Sequence, residues 1–320
     1  MQTYDRLVTV FGGSGFVGRH IVRALAKRGF RIRVAVRRPD LAGHLQPLGM
    51  VGQIHAVQAN LRYPDSVRQA VAGAEIVINC VGILYETGRQ KFDSVQARGA
   101  ATVARAAAEA GARLIHISAI GADAESESIY ARTKAAGEAA VLQEVPDAVI
   151  LRPSIVFGPE DDFFNRFAGM AQMSPVLPLV GGGETKFQPV FVGDVAEAVM
   201  AAVDGRTTPG AVYELGGPAV KSFRDLMEFV LATTQRKRLL VPLSFGLATL
   251  QAKFLQLLPK PLLTEDQVEL LRHDNVVGAA AKAEGRTLDG LGIHAQSVEA
   301  VVPTYLWRFR RQGQFTAPVA

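Results

Sequence analysis

Residues 8–18 read VTVFGGSGFVG, an apolar run of strand character that breaks into glycines at Gly12, Gly15 and Gly18. A helical pattern follows at once. Strand, glycine turn and helix in that order cradle a dinucleotide. Gly12 permits the tight turn, Gly15 lets the backbone approach a pyrophosphate, and Gly18 lets the helix pack closely on the strand. Unpaired N–H groups and a partial positive charge at the helix N-terminus complete an anion site. Gly12, Ser14, Gly15, Phe16, Val17 and Gly18 are therefore the expected phosphate-binding residues.

The end of the second strand selects the nucleotide. An NAD site usually carries an acid there, to hold the ribose hydroxyls. This chain has Arg37-Arg38, with Asp40 only beyond Pro39. A guanidinium at that position suits a 2′-phosphate through bidentate, charge-assisted bonds, so NADPH is the expected cofactor. Further on, Tyr130 and Lys134 stand four residues apart, about one helical turn, and so share a helix face.

The elements that position these residues follow from periodicity. Strand-like runs fall at 7–11, 31–36, 53–58, 76–80, 114–118 and 148–151. Helical spacing or alanine-rich helix formers fill 17–28, 65–71, 93–110 and 129–144. Strands buried on both faces and alternating with helices imply an α/β fold, a doubly wound parallel Rossmann sheet with right-handed crossovers. The expected organisation is a dinucleotide-binding domain over residues 1–205 and a smaller α/β docking region over 206–320.

Composition narrows the classes. A 48% hydrophobic fraction over 320 residues supports a sizeable core. The single cysteine, Cys80, rules out internal disulfides, and six histidines without ligand spacing give no reason to expect a metal. Lys and Arg number 35 against 30 Asp and Glu, a net charge of +5. Such a modest excess does not suggest a nucleic-acid protein. No apolar run reaches the ~18 residues of a membrane span. With a strand pattern starting at Leu7, no targeting segment is expected.

Charge is unevenly spread. From residue 229 to 264 there is no acidic side chain, while Arg236, Lys237, Arg238, Lys253 and Lys260 are basic. Within it Leu243, Leu247, Leu250, Phe254 and Leu257 fall on one helical stripe, bracketed by Pro242 and by Pro259-Lys260-Pro261. A helix of that length cannot span a bilayer. Either it faces the core of a small domain, or it lies on a membrane surface or a membrane-bound partner. The tail YLWRFRRQGQF (305–315) interleaves aromatics with Arg308, Arg310 and Arg311, which suits lipid headgroups or a protein partner rather than nucleic acid.

These residues resemble the extended and atypical short-chain dehydrogenase/reductases. Asn60-Leu61 stands where those proteins place Asp-Leu against the adenine, and NCVG (79–82) resembles their fourth-strand end. Tyr130-Ala-Arg-Thr-Lys134 matches their Tyr-x-x-x-Lys pair, while LRPSIVFGP (151–159), PVFVGDVAEAV (189–199) and YELGGP (213–218) match later landmarks. The resemblance implies that Asn60, Leu61, Val81, Gly82, Ser118, Tyr130, Lys134 and Pro153 border the cofactor. It also implies that Lys134 holds the nicotinamide ribose and lowers the tyrosine's pKa. The family's substrate-orienting hydroxyl is missing, however: Ala119 and Ile120 follow Ser118 at its usual positions.

More narrowly, FGGSGFVGRHIV, IVINCVGILYET and LIHISAIGADAESESIYARTKAAGE resemble the nucleotide-binding accessory subunits of respiratory complex I. So do PSIVFGPEDDFFNRFAGM and QPVFVGDVAEAV. That resemblance implies a tightly held NADPH without turnover, with Tyr130, Lys134 and Ser118 as vestigial catalytic residues. Its implied partners are other complex I subunits and the membrane surface. It places the protein on the cytoplasmic face of a bacterial inner membrane, or on the matrix side if mitochondrial. The alternative is an active NADP(H)-dependent reductase or epimerase; a module that senses the NADPH/NADP⁺ ratio is a third reading.

Overall fold

The computed structural model describes residues 6–315 apart from 257, 259 and 260. It divides into two units. The first comprises the residues through Pro153 together with Gly193–Leu215 and Gly278–Ile293; the second comprises Ser154–Val192, Gly216–Val277 and the chain from His294. The contiguous split at 205/206 expected from the sequence is thus replaced by an interleaved one. After the sixth strand the chain leaves the sheet and returns with a seventh, Val212–Leu215. It leaves again and comes back with 278–293, where the Arg286 carbonyl accepts from Glu214 N–H at 3.0 Å.

The first unit is a seven-stranded parallel sheet. Its strands are β1 (Leu7–Phe11), β2 (Arg31–Val36), β3 (Ile54–Gln58), β4 (Ile76–Asn79), β5 (Arg113–Ile117) and β6 (Val149–Pro153). The spatial order is β3-β2-β1-β4-β5-β6 with Val212–Leu215 at the far edge. Strand order reverses between β1 and β4, the switch point outside which doubly wound sheets bind ligands. Phe11, Asn79 and His116 stand abreast on β1, β4 and β5.

Helices α1 (Phe16–Lys27), α2 (Pro64–Val71), α3 (Arg98–Glu109) and α4 (Ile129–Glu144) make the crossovers. One core cluster joins Phe11, Val67, Val71, Val77, Val103 and Val141 with a run of alanines on α3. The alanines allow close packing: a Cβ on Gly137 of α4 would come within 2.4 Å of the Gln96 carbonyl. The helix expected over 93–110 begins instead as a widened π turn, Asp93–Ala97. There Gln96 turns inward, donating to the Ile83 carbonyl at 2.8 Å and accepting from the Thr133 hydroxyl at 3.0 Å.

The second unit has an aromatic core. Phe157, Phe164, Phe187 and Phe223 are buried with Leu226, Met227, Val230, Tyr305 and Leu306. Phe163 meets Phe164 and Phe167 edge-on, with centroids 5.2 and 5.1 Å apart. Tyr305 is internal: its hydroxyl donates to Asp161, whose carboxylate also accepts from the Gly158 and Asn165 N–H groups. Arg308 binds the Pro159 carbonyl and Asn165, and Arg310 binds the Thr233 carbonyl. The tail expected to face a partner is therefore largely a strap of this unit, with Trp307 and Phe315 its exposed aromatics.

The acid-free stretch behaves differently. Its helix, Phe245–Leu255, is capped by the Ser244 hydroxyl and buries Ala248 and Ala252. Leu247, Leu250 and Phe254 point outward, 57%, 54% and 67% exposed, and Leu239 and Val241 on the strand Leu239–Leu243 are exposed as well. Of the two orientations open in the sequence, Leu247, Leu250 and Phe254 take the outward one, while Leu243 packs inward against Val180, Ala248 and Ala252. Leu257, Pro259 and Lys260 lie outside the described residues. Among the described residues no helix is long and apolar enough to cross a membrane.

Candidate dinucleotide site

The glycine turn lies at the carboxyl end of β1. Gly12 has φ +74°, and a Cβ there would stand 3.2 Å from Val81 Cγ2 and 3.3 Å from Val81 N. Only glycine adopts that conformation freely in so tight a place. A Cβ on Gly18 would come within 2.3 Å of the Gly12 carbonyl oxygen, so α1 can cross the turn only with glycine there. Gly15 is the N-cap of α1; no side chain caps the helix, and its first turn carries no acid. The uncapped N–H groups of Phe16 and Val17 fit an anion. Arg19 reaches back to the carbonyls of Ser14 and Gly15.

The two arginines after β2 differ. Arg38 forks onto Asp40, with Nε to Oδ1 at 3.0 Å and Nη2 to Oδ2 at 2.7 Å. The pair raises the guanidinium pKa and lowers that of the carboxyl, chiefly through this hydrogen bond. Arg37 is exposed and has no hydrogen-bond or ion-pair partner among the described residues. After β3, the Asn60 side chain accepts from Arg62 N–H and Nε–H, while Leu61 packs on the cluster that includes α3.

Beyond β4 and β5 the polar groups converge. Lys134 is 5% exposed; its ammonium donates to the Ile117 carbonyl at 3.3 Å and lies 5.9 Å from the centre of the Tyr130 ring. Burial lowers its pKa to about 8, partly offset by Glu138 one turn along the helix. Glu138 in turn clasps Arg152, which faces Glu214 at 3.7 Å. Tyr130 is half-buried and edge-on to Phe92. A Cβ on Gly82 would lie 3.4 Å from the Lys134 ammonium. Cys80 is no reactive thiolate, since removal from water pushes its pKa to about 12 despite Lys134.

Ser118 follows β5, its N–H on the Leu151 carbonyl at 2.8 Å, and its hydroxyl is buried without a partner among the described residues. Ala119 and Ile120 come next, and Ile120 N–H donates to the Pro153 carbonyl at 3.0 Å. Neither Ala119 nor Ile120 carries a hydroxyl, the group that the family resemblance leads one to expect there. An uncapped helix N-terminus, a nearly buried ammonium and an orphaned hydroxyl are groups that a dinucleotide's phosphates and ribose would satisfy. The residues fit the cofactor.

Sequence reasoning missed three buried polar residues here: Gln96, His116 and Glu138. Each was visible as a polar residue at a position whose neighbours are apolar, but spacing alone gave it no role.

Residues 8–216 match the NAD dependent epimerase/dehydratase family. The chain is 38% identical over 284 residues to the mitochondrial NADH dehydrogenase [ubiquinone] 1 alpha subcomplex subunit 9 of Arabidopsis thaliana, covering 85% of this chain and 71% of that one. It is 36% identical over 195 residues to the ceramide reductase of Caulobacter vibrioides, covering 61% of this chain and 60% of that protein. Among solved structures, an NADPH-dependent quinone oxidoreductase from Escherichia coli complexed with NADPH superposes with a TM-score of 0.73 at 20% identity. That match covers 94% of this chain and 99% of the other. The chain thus belongs to the NAD dependent epimerase/dehydratase family, whose members bind a nicotinamide dinucleotide, and within it to the family of the NADH dehydrogenase alpha subcomplex subunit 9.

Proposed function

We propose that this chain is an NADPH-holding accessory subunit of respiratory complex I, with a structural role and no turnover of its own. The observation that carries the reading is the division of labour between the two units. One has a complete cradle for a dinucleotide but Ala119 and Ile120 where a substrate-orienting hydroxyl belongs. The other turns Leu247, Leu250 and Phe254 to solvent beside a stretch without acidic residues. In this reading the glycine turn and the α1 N-terminus hold the pyrophosphate, Arg37 the 2′-phosphate, and Lys134 and Ser118 the nicotinamide ribose. The apolar face meets other complex I subunits at the membrane surface, with Lys237 and Lys253 toward anionic headgroups. The protein is then peripheral, on the cytoplasmic face of a bacterial inner membrane or the matrix face of a mitochondrial one.

A second reading, an active NADP(H)-dependent reductase, is favoured by the nearly buried Lys134 beside Tyr130 and by the likeness to a ceramide reductase. When bound, the dinucleotide supplies hydride; Tyr130 would supply the proton. Tyr130→Phe separates the two. In membranes from cells lacking the native copy, a holder with this change supports complex assembly and NADH oxidation as the parent does. NADPH oxidation present in the parent and lost only in Tyr130→Phe would establish the reductase. Purification of the complex without this chain would refute the accessory role.

A further inference from the structure

One titratable group near the site has no part in that reading. His116, 2% exposed on β5, stands abreast of Asn79 on β4 and Phe11 on β1. The Asn79 side-chain oxygen Oδ1 accepts from Val81 N–H at 3.1 Å, because a backbone N–H can face only an acceptor. The amide nitrogen of Asn79 is thereby turned to His116 Nδ1, 3.2 Å away. An amide nitrogen only donates, so Nδ1 accepts and the ring proton sits on Nε2.

Nε2 is buried without a partner among the described residues. Burying an unsatisfied donor costs stability, and a leucine on this strand would fill similar space without that cost. What the imidazole does is therefore done by Nδ1. Val81 is no ordinary neighbour either. It stands against Gly12, and Gly82 after it stands against Lys134.

We propose that His116 is a positioning residue for the dinucleotide, a neutral imidazole that locks Asn79 and through it the Val81–Gly82 backbone between the glycine turn and Lys134. Burial, with Lys134 adding to it, lowers the imidazole pKa to about 3, so the ring stays neutral at every pH at which the protein would work. The inference uses the dinucleotide of the family and is independent of docking on any complex.

The test combines a spectrum with a substitution series. In the wild type labelled with ¹⁵N histidine, one imidazole is expected neutral and Nε2-protonated from pH 5 to 8, identified by its loss in His116→Gln. His116→Phe keeps a ring but offers no acceptor, and should weaken NADPH and NADH alike by about tenfold in calorimetry while shifting the Val81 amide resonance. His116→Gln, whose carbonyl oxygen can accept from Asn79, should restore affinity to within about twofold. A folded His116→Phe with parental affinity, or a Gln variant as weak as the Phe variant, overturns the proposal. If His116→Phe does not fold, an Nδ1-protonated His116 in the wild type overturns it by itself. A wild type that binds neither nucleotide would instead fail the family's cofactor assignment, leaving the tautomer measurement to stand alone.

Discussion

In the first unit the core is mostly aliphatic and alanine, with a few aromatics such as Phe11 and Phe30, and the buried polar groups Asn79, His116, Ser118 and Lys134 gather around the carboxyl ends of β4 and β5. In the second unit a cluster of phenylalanines makes the core, the tail is strapped down by Tyr305 and its arginines, and several apolar residues face outward, among them Leu247, Leu250 and Phe254 on one short helix. The first arrangement is what binding a fixed, charged ligand requires: rigid strands, a helix N-terminus and preplaced polar atoms. The second is what a surface requires when its partner is broad and apolar. If the outward face is the docking face, as proposed, cofactor and docking are separable at the level of single side chains, though not by truncation. A chain cut at Phe229 would also lose 278–293, which belongs to the first unit.

The largest expected effect tests the aromatic core. Phe164 is fully buried between Phe157, Phe163 and Phe229. Phe164→Ala should lower unfolding stability by about 3–5 kcal/mol in urea titration. The dinucleotide affinity of the molecules still folded should match the parent. A loss of affinity in that folded fraction would mean that the cradle depends on the aromatic core.

Next in size is the outward face. Leu250→Ser with Phe254→Ser removes two exposed apolar groups whose burial would be worth about 1.5–3 kcal/mol each. Co-sedimentation with membranes should fall roughly a hundredfold or more. Melting temperature and NADPH affinity should stay level, because neither side chain contributes to either core. Unchanged sedimentation would remove this face from the docking argument.

How much of this was legible in the sequence follows the same division. Where an element is local and repeated, pattern sufficed: the glycine turn, the strands within a residue or two, and α4 to the residue. The ends moved for reasons that sequence hides. β4 stops at Asn79, whose side chain accepts from Val81 N–H, and α3 starts late because the chain first winds through the π turn Asp93–Ala97, from which Gln96 reaches Ile83 and Thr133. The seventh strand was missed because Val212–Leu215 is four residues long and joins β6 only after the chain has left the sheet and returned. Tyr305 reads as interfacial when its neighbours are counted, yet its partner, Asp161, lies 144 residues away.

A smaller effect separates cofactor binding from stability within the first unit. Burial holds Lys134 near pKa 8, below its ordinary 10.5. Between those values the unfolded chain binds the more protons, so ligand-free stability should rise with pH from about 8 toward 10.5 and level off above. Lys134→Met should flatten that rise, raise the ligand-free melting temperature at pH 7, and weaken NADPH by about tenfold. Thermal scans from pH 7 to 10.5, with and without NADPH, check both signs. A variant that melts lower than the parent at pH 7 would mean that the bond to the Ile117 carbonyl outweighs the cost of burying the ammonium.

The smallest effect concerns the nucleotide's 2′ end, where Arg37 and Arg38 are equal in sequence and unequal in structure. Arg37 is without a partner among the described residues, so no ion pair has to break for it to meet a 2′-phosphate, and Arg37→Asp should narrow or reverse the proposed preference for NADPH over NADH. Arg38 is engaged by Asp40, and a phosphate must compete with that carboxylate for its fork. Asp40→Asn removes the competitor's charge and a like charge facing the phosphate. Both changes favour NADPH and neither touches NADH, whose ribose offers only hydroxyls. The pair is exposed, and there water and salt screen such contacts, so the gain should be about twofold and should shrink as salt is raised. Competitive calorimetry with the two nucleotides at low and high ionic strength reads it. A gain for NADH as large as that for NADPH would mean that Asp40 acts on the adenosine ribose and not on Arg38, and the 2′-phosphate would then rest on Arg37 alone.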